Sequence, residues 1–272
     1  MAETVQEAVK VVPALEVENL KVRFPVRGGV LGKIQNYFTA VDDVSFTLPQ
    51  GKILSIVGES GCGKSTLVKS LVGLVQADFG CYKLLGEKID FKEGASVRKV
   101  RNLVQMIFQD PFSSLNPRQT LAEILTAPVV ARGVSFDEAR ERALGMLDRV
   151  SIPGGALEKF PHEFSGGQRQ RLCIARSLMV EPKVLLCDEV TSALDVSVQA
   201  QILHLLDDLR NEMGISLLFI SHDMQVVCAL SDEVLVMYFG KVVERGEADR
   251  VLVNPRHEYT QKLLASVPTI RR

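Results

Sequence analysis

The chain has 272 residues, with 32 Lys and Arg against 33 Asp and Glu, a formal net charge of −1. Hydrophobic residues at 46% and charged residues at 24% are globular proportions and exclude a disordered or fibrous chain. The balance lacks the basic excess of a nucleic-acid binder, so no nucleic-acid partner is expected, and the length suits one large or two small domains.

The acidic start, Met1 to Glu7, leads into no apolar stretch and does not read as a signal peptide. Residues 1–13 are expected to be a loose tail. Short β-like runs follow over Leu15 to Leu20, Lys21 to Phe24 and Val41 to Leu48, interrupted by a basic, glycine-containing loop (Arg27, Gly28, Gly29, Gly32, Lys33). Pro49-Gln50-Gly51 is a turn. Lys52 to Val57 is apolar with little alternation, the mark of a strand buried on both faces, and Ser65 to Leu74 has helical spacing.

Val104 to Phe108 reads as a further strand. From Thr120 to Val180 the pattern turns helical, with Leu121, Ile124, Leu125 and then Ala139, Ala143, Leu144, Leu147 at helical intervals. Strands return at Val184 to Cys187, Ser216 to Ile220, and Glu233 to Phe239 hairpinned onto Lys241 to Glu244, with a helix over Val196 to Met213. Strand–helix alternation predicts a parallel α/β sheet, with the helical block inserted in it. No run of about 18 uncharged apolar residues predicts a membrane span. The cysteines Cys62, Cys81, Cys173, Cys187 and Cys228 form no CxxC pair, which points to a reduced, cytoplasmic setting without zinc or iron–sulfur ligation.

Gly58-Glu59-Ser60-Gly61-Cys62-Gly63-Lys64-Ser65, followed by Thr66, fits GxxxxGK[ST] between a strand and a helix. Glycines let backbone N–H groups close around a polyphosphate, and the helix adds its positive end. Lys64 is expected on the β and γ phosphates of a nucleoside triphosphate, and the Ser65 hydroxyl on Mg²⁺. Val184 to Cys187 runs into Asp188 and Glu189, placing one acid to hold Mg²⁺ and the next to orient or deprotonate a water.

Phe164-Ser165-Gly166-Gly167-Gln168 leads into another helix, with Ser165 an N-cap-type residue and the glycines leaving N–H groups open to a second anion. This stretch resembles the LSGGQ signature of ATP-binding cassette ATPases, with Phe in place of Leu. The resemblance spans about residues 14–270. It implies a RecA-like P-loop NTPase core with a parallel sheet, an N-terminal antiparallel β subdomain and an inserted α-helical subdomain at about 110–180. A cassette over 14–246 and a tail over 247–272 complete this division.

Further roles come with the resemblance. Gln109, beside Phe108 and Asp110, would sense Mg²⁺ and water; His222 would contact the γ phosphate. Ser165, Gly166, Gly167, Gln168 and Asp195 would meet ATP held by a second cassette. Phe24 is the expected adenine-stacking ring, with Tyr37 and Phe38 as alternatives. The runs Gln109 to Arg118, Asp195 to Ala200 and Asn254 to Thr260 resemble the dipeptide/oligopeptide/nickel importers. There, two non-identical ATPase subunits pair beneath two permease subunits, expected to dock near Phe112 to Leu115, and a solute-binding protein feeds them from outside. The expected place is the cytoplasmic face of the cell membrane. Val190 stands where the family usually has Pro. Alternatives are a cassette ATPase in a soluble, phosphonate-lyase-like assembly, and a P-loop kinase.

Overall fold

The computed structural model describes residues 12–28 and 33–265. Most of the expected N-terminal tail, the loop positions 29–32 and Arg271-Arg272 lie outside the described residues.

The first two strands, β1 (Leu15–Gly28) and β2 (Lys33–Leu48), are longer than the sequence suggests. They stay paired out to Gly28 opposite Lys33, so Arg27, Gly28 and Lys33 belong to strands rather than to an interrupting loop. The two-residue rhythm is hidden because it slips. Buried Leu15 and Val17 give way to buried Leu20 and Val22 across a register shift, where Asn19 takes φ 52°. Asn tolerates that left-handed backbone, and its Nδ2 donates to Asp43 Oδ1 at 2.9 Å.

Next come β3 (Ile53–Val57), α1 (Lys64–Leu71), β4 (Cys81–Leu84), β5 (Glu87–Lys88), α2 (Gly94–Leu103) and β6 (Val104–Ile107). The helical block follows as α3 (Pro111–Ser114), α4 (Leu121–Val130), α5 (Phe136–Arg149) and α6 (Gly166–Leu178). The chain closes with β7 (Val184–Asp188), α7 (Val196–Met213), β8 (Ser216–Ile220), α8 (Met224–Leu230), β9 (Glu233–Tyr238), β10 (Lys241–Glu247), α9 (Ala248–Val253) and α10 (Glu258–Ala265).

Two sheets form. One is antiparallel in the order β2-β1-β4-β5; the other runs β10-β9-β3-β8-β7-β6, parallel except for the β9–β10 hairpin. The parallel strands are buried on both faces. In β8, Leu217 and Phe219 enter the apolar cluster shared with the helical block, while Leu218 and Ile220 enter the one beneath α1 and the antiparallel sheet. This two-sided burial removes alternation from Ile53–Val57, Val184–Asp188 and Ser216–Ile220. Parallel register sets Ile56 and Asp188 both opposite Ile220, so the loops that carry chemistry leave one carboxyl edge of the sheet.

Candidate functional site

The Gly58–Lys64 loop leaves that edge from β3. Gly63 has φ 107°, and a Cβ there would stand 2.3 Å from the Ala40 carbonyl; one on Gly58 would stand 2.2 Å from the Met237 carbonyl. Side chains are excluded at both positions, so the backbone lies directly against β2 and β9. A register shift helps on the β2 side: Val22 pairs with Val41 and Arg23 with Thr39, leaving Ala40 as an extra residue turned toward the loop.

Lys64 is 4% exposed, and its ammonium donates to the carbonyls of Gly58 at 2.8 Å and Glu59 at 2.9 Å. Among the described residues no carboxylate lies within ion-pair distance of it, and Asp188 acts on it only at longer range, so carbonyl oxygens hold the buried charge in a position that suits a polyphosphate. Ser65 Oγ donates to Asp188 Oδ1 at 2.8 Å. Asp188 is 3% exposed, and its burial pushes the carboxyl above its ordinary range, against the pull of the Ser65 hydroxyl. Two hard oxygens in contact, one a buried carboxylate, fit a divalent cation of the magnesium kind.

Glu189 follows Asp188 with φ 49°, an uncommon backbone for a non-glycine residue, and its N–H donates to the Ile220 carbonyl at 3.1 Å. Its Oε2 accepts Gln109 Nε2 at 2.9 Å and lies 3.7 Å from His222 Nδ1. Strands β6, β7 and β8 thereby bring two widely separated residues, Gln109 and His222, to one carboxylate oxygen of a third, Glu189. Gln109 also borders a cleft of about 410 Å³ with Ser65, Lys69, Arg176 and Asp188. Val190, in the place of the usual proline, is buried in the core.

The signature helix starts as its sequence predicts. Ser165 Oγ accepts the Gln168 N–H at 3.4 Å, Gln168 Oε1 accepts the Ser165 N–H at 3.0 Å, and both residues are exposed. Phe164, the Leu replacement, is buried in the helical core. Gly167 has a packing reason as well: a Cβ would lie 2.5 Å from Val198 Cγ1 on α7. Asp195 caps α7, accepting from Ser197 Oγ at 2.6 Å and the Val198 N–H at 3.0 Å; the Ser197 hydroxyl leads the contacts that hold its carboxyl below the usual range.

Phe24 and Phe38 face each other in register and share one face of the β1–β2 ribbon, whereas Tyr37 pairs with Pro25 on the other. All three rings are exposed. The expectation for Phe112 to Leu115 needs correction. Phe112 to Ser114 lie in a short helix capped by Asp110, which accepts from the Phe112 N–H at 2.8 Å, and Leu115 follows as its extended C-cap. Phe112 is 57% exposed, under the Arg169 guanidinium at 4.4 Å, but Leu115 is 2% exposed within the helical core. Only Phe112 of that apolar pair faces outward. Sequence reading also missed Tyr259, whose hydroxyl accepts the Glu59 N–H at 2.9 Å from 200 residues away.

The doubly wound sheet, with a glycine loop at its carboxyl edge and the Ser65–Asp188 contact beside it, defines an α/β fold of the P-loop NTPase kind. Residues 41–192 match the family described as ABC transporter, and residues 243–272 match the oligopeptide/dipeptide transporter C-terminal region. The chain belongs to the ABC transporter family.

Among curated relatives, the glutathione import ATP-binding protein GsiA of Pectobacterium atrosepticum is 47% identical over 257 residues, covering 94% of this chain and 41% of that protein. GsiA of Escherichia coli O6:H1 is 48% identical with the same coverage. The chain thus spans about two-fifths of the length of these relatives. Among solved structures, cbiO1 of Clostridium perfringens, part of the ABC transporter complex cbiONQ, matches with TM-score 0.76 and 28% identity over 94% of this chain and 96% of that one. A dimeric ATP-binding cassette in a post-hydrolysis state, bound to ADP and Pi, matches with TM-score 0.74 and 26% identity over 86% and 98%.

Proposed function

We propose that this chain hydrolyses ATP to ADP and phosphate and that the reaction powers import of a di- or oligopeptide, glutathione, or a related small solute such as a nickel chelate or opine. The observation that carries the catalytic part is the meeting of Gln109 and His222 at one oxygen of Glu189, beside the Ser65–Asp188 contact. The relatives' name, glutathione import ATP-binding protein, supports the transport part.

In this reading adenine stacks on Phe24, with Tyr37 and Phe38 as the alternative rings, and the N–H groups from Gly58 to Thr66 surround the phosphates. Lys64 turns from the Gly58 and Glu59 carbonyls toward the β and γ phosphates. Ser65 and Asp188, with Gln109 in reach, would hold Mg²⁺, which would supply charge neutralisation on the phosphate oxygens. Glu189 takes the proton of the attacking water on a lone pair that the Gln109 amide leaves open, while that amide holds the carboxylate in place. His222 steadies the γ phosphate.

A second, non-identical cassette completes the site by presenting its own counterparts of Ser165, Gly166, Gly167, Gln168 and Asp195. Closure is favoured while the γ phosphate bridges the two halves and is released when it leaves. The segment about 110–180 acts as the moving helical subdomain of the 14–246 cassette, followed by the 247–272 tail. Phe112 meets one of two permease subunits. A solute-binding protein delivers cargo, and the ATPase works at the cytoplasmic face of the membrane. Among the described residues, no helix is long and apolar enough to cross a membrane, which suits a peripheral subunit.

Phosphate release from Mg·ATP without any acceptor tests the reaction and separates it from a kinase. Glu189→Gln is expected to slow it by about 10²- to 10⁴-fold while ATP still binds. Turnover near wild type would remove Glu189 from the role. Co-purification with permeases, rather than with a soluble enzyme assembly, tests transport.

A further inference from the structure

The segment from Asn254 to Thr260 takes no part in the chemistry just outlined, yet it reaches the phosphate loop. Glu244 anchors it: Oε1 accepts the Arg256 N–H at 2.8 Å and Oε2 the His257 N–H at 3.0 Å. His257 Nδ1 then accepts the Tyr259 N–H at 3.1 Å. These contacts present the buried Tyr259, whose ring lies 4.1 Å from that of Tyr238 at the end of β9, to the N–H of Glu59. Burial pushes the phenol's pKa up, so the hydroxyl stays neutral near physiological pH.

Residue 59 is therefore held from two directions. Its N–H meets Tyr259, while its carbonyl accepts the Lys64 ammonium at 2.9 Å and the Cys62 N–H at 3.3 Å. The β9–β10 turn closes the same side, with the Gly240 N–H on the Cys62 carbonyl at 2.9 Å and the Met237 carbonyl against Gly58. When Lys64 turns to a polyphosphate it leaves the Glu59 carbonyl. The Tyr259 hydroxyl then remains as the side-chain contact on that end of the loop. A part-buried N–H stripped of its acceptor would favour other backbone arrangements and loosen the cup.

We propose that Tyr259 is a positioning residue that keeps the phosphate loop in its binding shape, so that the C-terminal segment sets the affinity for the polyphosphate of a nucleotide. The proposal rests on the cassette reading of the loop. Tyr259→Phe tests it, because the ring and its contact with Tyr238 remain and only the hydroxyl is lost. Calorimetric titration with Mg·ATP and with ADP is expected to show about five-fold weaker binding of both, the scale of one neutral hydrogen bond. KM for ATP should rise similarly, with kcat changed far less, and adenosine binding should be unaffected.

Glu244→Ala, which frees the segment without touching the loop, should shift affinity in the same direction. Hydrogen exchange at the Glu59 amide supplies a readout independent of nucleotide: it should speed up in Tyr259→Phe relative to wild type. Wild-type protein that binds ATP alongside a Tyr259→Phe variant of equal affinity would overturn the proposal. So would equal exchange at Glu59 in the two proteins. Wild-type protein that binds no Mg·ATP would instead overturn the cassette reading, with the Glu59 exchange comparison still deciding whether Tyr259 holds the loop.

Discussion

Leu115 and Phe112 stand three residues apart with opposite exposures, and the contrast separates packing from recognition. Leu115→Ala should destabilise the fold by about 2–5 kcal/mol, read from denaturant melting, because it empties a fully enclosed site among the helices. Phe112→Ala removes a ring that faces outward under Arg169, so stability should change by only about 0.5 kcal/mol. Recovery of permease subunits with the protein should nevertheless fall. Equal permease recovery would take Phe112 out of the docking surface.

At the scale of elements, the close approach of α6 and α7 depends on Gly167. Gly167→Ala should cost about 1–3 kcal/mol through overpacking against Val198. Adding Val198→Ala should recover most of that loss, measurable as a coupling energy in a double-mutant cycle. The C-terminal anchor gives a pH prediction. Burial raises the Glu244 carboxyl, but N–H donation from Arg256 and other hydrogen bonds outweigh it, and the net pKa lies below the ordinary 4.5. A depressed folded-state pKa contributes stability above the unfolded value and loses it as pH falls through the folded one. Amide exchange at Arg256 and His257, corrected for intrinsic rates, should therefore lose protection as the solution is acidified below 4.5. Constant protection through that window would show that the carboxylate does not hold the segment.

Elements whose reasons are local were readable from the sequence. The Gly63 backbone, the Ser165 cap and the apolar runs of β3, β7 and β8 each follow from requirements that neighbouring residues declare. Others depend on distant partners. Strands β4 and β5 and helix α2 were not anticipated; there the stacked rings of Phe79, Tyr82 and Phe91 supply an order that no periodicity announces. That Phe24 and Phe38 share one face of the ribbon and Tyr37 the other follows from the β1–β2 register, which the slip near Asn19 hides. The helix over Pro111–Ser114 was not anticipated, because four residues hold no repeat to detect, and the burial of Leu115 just after it depends on the distant helices it packs among.

For the molecule as a whole, the proposed mate supplies the remaining test. Glu189→Gln protein mixed with Mg·ATP and the second cassette should run as a dimer in size-exclusion chromatography. Adding Ser165→Arg should abolish that dimer while leaving nucleotide binding by the Gly58–Thr66 loop intact, since the exposed serine lies on a different helix. Dimerisation that ignored Ser165→Arg would mean that the two halves meet elsewhere.

The amide of Gln109 already occupies the Glu189 oxygen in the single chain. A carboxylate has two oxygens and several lone pairs, so this contact fixes the direction of the Glu189 side chain and leaves it able to take a proton. The aim of the acid is therefore tied to the chain on either side of residue 109, and whatever displaces the start of the helical block would tilt Glu189 with it.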